Sequence, residues 1–124
     1  MSTVAGQMHR NQSSEDLFAE LTPLRVRLND EVSIRAYLRD FPDLVSVIPP
    51  ICTSTRNEFG VRAELFLTVR RDPEIQDEHL ALIVRLPAYS ADMVERLSKI
   101  MTAHEQEICK QDGTFLVTTD FHKL

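Results

Sequence analysis

Val61-Arg-Ala-Glu-Leu-Phe-Leu-Thr-Val-Arg-Arg71, Asp72-Pro-Glu-Ile-Gln-Asp-Glu78 and His79-Leu-Ala-Leu-Ile-Val-Arg-Leu86 run on from one another, two apolar stretches around an acidic turn. Side chains two apart in a strand share a face. Val61, Ala63, Leu65, Leu67 and Val69 therefore line one face, and Leu80, Leu82, Val84 and Leu86 line the same face of the partner strand. This is a core face. The opposite face carries Arg62, Glu64, Phe66, Thr68 and Arg70 on one strand and His79, Ala81, Ile83 and Arg85 on the other. An apolar centre of Phe66, Ala81 and Ile83 sits there inside a ring of charge. That centre predicts a cover: the N-terminal segment, a second copy of the chain, or another protein. Phe66, Ile83, Arg62, Arg70 and Arg85 are the expected interface residues.

The elements around the hairpin follow from helical spacing. From Ser14, Leu17, Leu21, Leu24 and Leu28 recur with a helical period, with Glu15 and Asp16 in the first turn. Leu24-Arg-Val-Arg-Leu28 also alternates; helix is the preferred reading, with Pro23 opening a second short segment. Ile34, Tyr37, Leu38 and Phe41 form one helical face that Pro42 terminates. Leu44, Ile48, Ile51, Cys52, Thr55 and Phe59 continue a stripe through Pro49-Pro50, which predicts a kink there, a restart with Pro50 in its first turn and a stop at Gly60. Ser90, Asp92 and a Tyr89–Val94 staple open a further helix. Its stripe is Met93, Leu97, Ile100, Met101, His104 and Ile108, and Asp112-Gly113 ends it. Thr114 to Phe121 reads as a third strand.

The expected fold is α+β: a small antiparallel sheet of three strands, order 2-1-3, with two main helices on one face and an N-terminal helical segment before it. The expected organisation is a polar tail at 1–13, the helical segment at 14–41 and an α-β-β-α-β domain at 42–124.

Composition narrows function. A net charge of −5 disfavours a general nucleic-acid binder, which would show a basic excess. Cys52 and Cys109 lie far apart with no CxxC, and reduced thiols in the cytoplasm are expected. There is no apolar h-region at the start and no run long enough to cross a membrane. The acidic turn offers Asp72, Glu74 and Asp77 as weak candidates for a cation, but it lacks the glycine and alternation of a dedicated calcium loop. Turn chemistry explains it. His9, His79, His104 and His122 have no metal-ligand spacing, and no phosphate loop, nucleophile elbow or HExxH occurs. No cofactor is expected. Arg62, Arg70, Arg71 and Arg85 with Phe66 would suit an RNA-stacking sheet, but Glu64 in their midst favours cross-strand ion pairs.

Phe41-Pro-Asp-Leu-Val45, Glu58-Phe-Gly60, Leu65-Phe-Leu-Thr-Val69, Asp72-Pro-Glu74 and Leu80-Ala-Leu-Ile-Val84 resemble a loose group of short uncharacterised prokaryotic α+β proteins. Their pattern is a helix ending in Phe-Gly, a strand, Asp-Pro-Glu and a second strand. The resemblance spans Asp40 to Phe121; the first 40 residues and the Pro49-Pro50 step depart from it. It implies no activity. Some small proteins of this kind are accessory partners of a neighbouring gene's product, toxin–antitoxin pairs among them. The expectation is a non-enzymatic interaction module, a homodimer or the partner of another protein. A small metal-dependent hydrolase and an RNA-binding sheet are the rivals.

Overall fold

The structure, a computed structural model, describes residues 14–72, 74 and 77–122, and the side chains of all of these except Asp72 and Asp77. The tail expected at 1–13 lies outside the described residues. The element order is α1 (Ser14–Leu21), β1 (Val26–Leu28), α2 (Glu31–Asp40), a 3₁₀ turn (Pro42–Ser46), α3 (Ile48–Phe59), β2 (Glu64–Asp72), β3 (Asp77–Arg85), α4 (Met93–Ala103), α5 (Glu105–Cys109) and β4 (Phe115–Thr118). The class is α+β.

The strands form one sheet in the order β1-β2-β3-β4. β1 pairs with β2 in parallel, β2 with β3 antiparallel, and β3 with β4 in parallel. This corrects the expected three-stranded antiparallel sheet of order 2-1-3. The reason is the segment read as helix at 24–28. Val26 to Leu28 is a strand, and it pairs with Leu65 to Leu67. The edge of β2 is thereby taken, so the strand after α4 is left the edge of β3. Ile83 opposite Thr118 and Leu80 opposite Phe115 fix its register. The third strand is also shorter than expected, four residues in place of eight.

The hairpin register matches the period-two pattern. Leu65 faces Val84, Leu67 faces Leu82 and Val69 faces Leu80. Leu65, Leu67, Leu80, Leu82 and Val84 are fully buried and join Leu17, Leu21, Ile34, Leu38, Ile51, Cys52, Met93, Leu97 and Ile100 in one cluster. The buried apolar side chains of α1 to α4 all belong to that cluster, so these helices pack on the inner face of the sheet. Val61, expected on the core face, precedes the strand and is exposed.

The stripe from Leu44 to Phe59 is split into the 3₁₀ turn and α3, with Pro49 and Pro50 in the first turn of α3, where the backbone N–H that proline lacks has no helical partner. Two other helix boundaries differ from expectation for local reasons. α4 starts at Met93 with Asp92 as its N-cap, and Val94 is exposed instead of stapled to Tyr89. The Tyr89 hydroxyl is committed elsewhere: it accepts from Leu86 N and donates to His122 O. His104 caps α4 and opens α5, so the single stripe expected from Met93 to Ile108 is carried by two helices.

Candidate functional site: a charge ladder on the outer sheet face

Alternation puts Glu64, Phe66, Thr68 and Arg70 on the outer face of β2, opposite Arg85, Ile83, Ala81 and His79 of β3. β1 adds Arg27 beside Phe66, and β4 adds Thr118 beside Ile83. One row across the sheet is therefore Arg27, Phe66, Ile83, Thr118. Ala81 and Ile83 are buried, Ile83 to 2%, though neither belongs to the core cluster. The centre of the outer face is thus closed within a single chain. Phe66 is only half-buried.

At the Phe66 end, charges alternate across the whole sheet. Arg27 Nη1 is 3.1 Å from Glu64 Oε2, Arg85 Nη1 is 3.7 Å from Glu64 Oε1, and Arg85 Nη2 is 2.8 Å from Asp120 Oδ2. Arg85 Nε also donates to both Asp120 oxygens. The order is positive on β1, negative on β2, positive on β3 and negative just after β4. The Arg85 guanidinium lies 4.7 Å from the Phe66 ring centroid, within the range of a cation–π contact. A cleft of about 200 Å³ opens beside it, lined by Arg27, Leu28, Asn29, Glu64, Phe66 and Arg85.

The ladder has a clear electrostatic signature. The hydrogen bonds from Arg85 hold the Asp120 carboxyl down at about 2, helped by the backbone N–H of His122. In return Asp120 raises the already high pKa of Arg85. A carboxylate held so low stays ionised at neutral pH and is a poor proton shuttle. Chemically the ladder is suited to recognition by charge and apolar contact.

β1 reaches the ladder because Arg56 of α3 holds it there. Its guanidinium donates to Leu24 O at 3.0 Å, Arg25 O at 3.3 Å, Gly60 O at 2.8 Å and Ala63 O at 2.6 Å. One side chain thus ties the turn before β1 to the turn before β2. Burial, more than any neighbour, pushes the Arg56 pKa down. Arg25 in that turn has φ 59°, a left-handed conformation uncommon for a non-glycine residue. At the other end of β1, Asn29 N donates to Leu67 O and Asn29 Nδ2 to Thr68 Oγ1. Periodicity carries no signal for Arg56; its partners are up to 32 residues away.

The expected interface residues are therefore distributed unequally. Phe66 and Arg85 are in contact, and Ile83 forms the floor behind them. Arg62 is exposed in the turn before β2. Arg70 is exposed near the far end of β2, opposite His79 and away from the ladder. Arg27 and Asp120, absent from the expected set, complete the ladder.

Two other places hold chemistry-bearing groups. Ser54 Oγ and His104 Nε2 are 2.8 Å apart, linking α3 to the α4–α5 junction. Among the described residues no carboxylate bonds the ring, so the orienting member of a nucleophile–base–acid set is not supplied. A groove of about 330 Å³ runs between α4 and the open edge of β4, where Val94, Leu97, Met101, Val117 and Phe121 meet. Val94 and Phe121 are 63% and 55% exposed there, and the Val117 amide donates to Met101 Sδ. As for the acidic turn, Asp72 and Asp77 face each other in the hairpin register and Glu74 is exposed. The Asp72 and Asp77 carboxylates lie outside the described side chains. Among the described residues no group of three or more His, Cys, Asp or Glu is placed to hold a metal, and no helix is long and apolar enough to cross a membrane.

Comparison with protein-family models, with curated proteins and with solved structures finds no match.

Proposed function

We propose that this chain is a non-enzymatic protein-interaction module that self-associates through the Phe66 end of its outer sheet face, in the manner of an accessory or antitoxin-like partner in the cytoplasm. The observation that carries this reading is Phe66 itself. A half-buried aromatic lies under a guanidinium, beside an open cleft, inside a charged ladder that spans all four strands. Aromatic and arginine residues framed by polar groups are the usual anchors of protein interfaces. The test is Phe66→Arg with sedimentation velocity and circular dichroism. The expected result is a folded monomer in place of a wild-type dimer. A wild-type chain that stays monomeric at high concentration refutes self-association.

The groove along the β4 edge supports a second reading, in which the copies meet there. It is favoured by Val94 and Phe121, two large apolar side chains exposed on one groove. In that case Val94→Asp dissociates the dimer and Phe66→Arg does not.

A further inference from the structure

We infer that the partner at the ladder is a second copy of this chain, docked face to face about a two-fold axis that runs parallel to the strands between β2 and β3; this rests on the self-association reading above. The inference comes from the order of the charges. Across the sheet they read Arg27 positive, Glu64 negative, Arg85 positive and Asp120 negative. A two-fold axis along the strands reverses that order in the second copy. Arg27 then faces Asp120 of the second copy, and Glu64 faces its Arg85. Every charge meets its opposite, and symmetry makes each contact twice.

The same operation acts on the next row. Phe66 comes over Ile83 of the second copy and the Arg27 backbone over its Thr118, because these residues share a register row, while the Arg27 guanidinium reaches back to the Glu64 row and so toward Asp120 of that copy. Ile83 is 2% exposed and adds no surface, so the contact rests on the charges, with half-buried Phe66 and the cleft beside it facing the Thr118–Asp120 side of the other chain. The rival axis, laid across the strands through the ladder, sets each charge against its own copy and is repelled. An axis along the strands also leaves the two sheets nearly aligned, one of the two ordinary ways in which sheets stack. The four charged groups are accessible for this: the Arg27 side chain is 73% exposed, and Glu64, Arg85 and Asp120 keep 28%, 30% and 24%.

The experiment is charge reversal followed by mixing, read by sedimentation velocity with circular dichroism as the control for folding. Arg27→Glu puts a carboxylate against Asp120 of the second copy. Asp120→Arg puts a guanidinium against Arg27. Each variant alone is expected to weaken the dimer by about tenfold or more, since like charges across an interface are strongly disfavoured. Mixed in equal amounts, the two are expected to form a heterodimer as tight as the wild type, because each reversed charge now meets its opposite. A defect confined to one chain's own ion pairs cannot be rescued by mixing. Should Asp120→Arg disturb the C-terminal segment, Thr118→Arg serves instead: it leaves the ladder's ion pairs intact, opposes Arg27 and is expected to be rescued by Arg27→Glu. Single variants that dimerise normally, or weakened variants that mixing fails to rescue, overturn the axis. If Phe66→Arg still gives a monomer in that case, self-association through this face stands and only the geometry is wrong. A wild-type chain that never dimerises overturns both.

Discussion

Replacing Arg56 by Met tests the contact that holds β1 in the sheet. The aliphatic stem is kept and the donors to four carbonyls are lost. Two of these bonds, to Leu24 O and Ala63 O, are partly buried, and those to Gly60 O and Arg25 O are exposed to water. A hydrogen bond from a charged donor contributes about 1.5–3 kcal/mol, so the two sheltered bonds set a loss of about 3–6 kcal/mol. The exposed carbonyls regain water and add little. Against this, burial depresses the Arg56 pKa, which shows that the charge is held there at a desolvation cost that Met removes. The net expectation is a loss of about 2–4 kcal/mol. In urea, with a slope of about 2 kcal/mol per molar for a domain of this size, the midpoint should fall by about 1–2 M. Arg56→Lys, a single ammonium that cannot reach four carbonyls, should fall between. Amide exchange adds a local reading: Asn29 N, bonded to Leu67 O, should lose protection before the β2–β3 hairpin does. A midpoint within roughly 0.2 M of wild type, about the scatter of such measurements, would refute the clamp.

Asp120 predicts a pH effect. Its folded pKa of about 2 is below the unfolded carboxylate value, so its contribution is complete above about pH 4 and is lost as pH falls through about 2. With the side chain 24% exposed and screened, Asp120→Asn should cost about 1 kcal/mol at neutral pH and much less near pH 2; a cost that is the same at both refutes the pairing. Gly113→Ala should destabilise by about 1–3 kcal/mol, because a Cβ there lies 2.8 Å from Leu44 Cδ1 and from Phe41 Cβ and Cγ; an unchanged melting temperature would show that this corner yields. Burial pushes the Cys52 thiol up to about 12, whereas Cys109 is exposed. Iodoacetamide at neutral pH should therefore label Cys109 alone by mass spectrometry until the chain is unfolded, and early labelling of Cys52 would contradict the burial.

What could be read from the sequence is what repeats. β2 and β3 carry a period of two over nine paired positions, so their inner face, their register and the sharing of one outer face by Phe66, Ile83 and Arg85 all follow from spacing. β1 has three residues, too few for a period, and Leu24 before it and Leu28 within it fall in step with α1. It is a strand because of contacts made elsewhere: Arg56 holds its entry, and β2, some 39 residues on, supplies its partner. That one unread strand displaced β4 from the edge of β2 to the edge of β3. It also hid the ladder. Arg27 and Glu64 are 37 residues apart, Arg85 and Asp120 are 35 apart, and no local pattern links them. Once the order β1-β2-β3-β4 is known, these scattered charges fall into an alternating row. A row of that kind neutralises itself within one chain, and reversed it neutralises a second. The surface property that best supports a function here is therefore a product of strand order, which is why residue-by-residue reading found Phe66 and Arg85 but not Arg27 and Asp120.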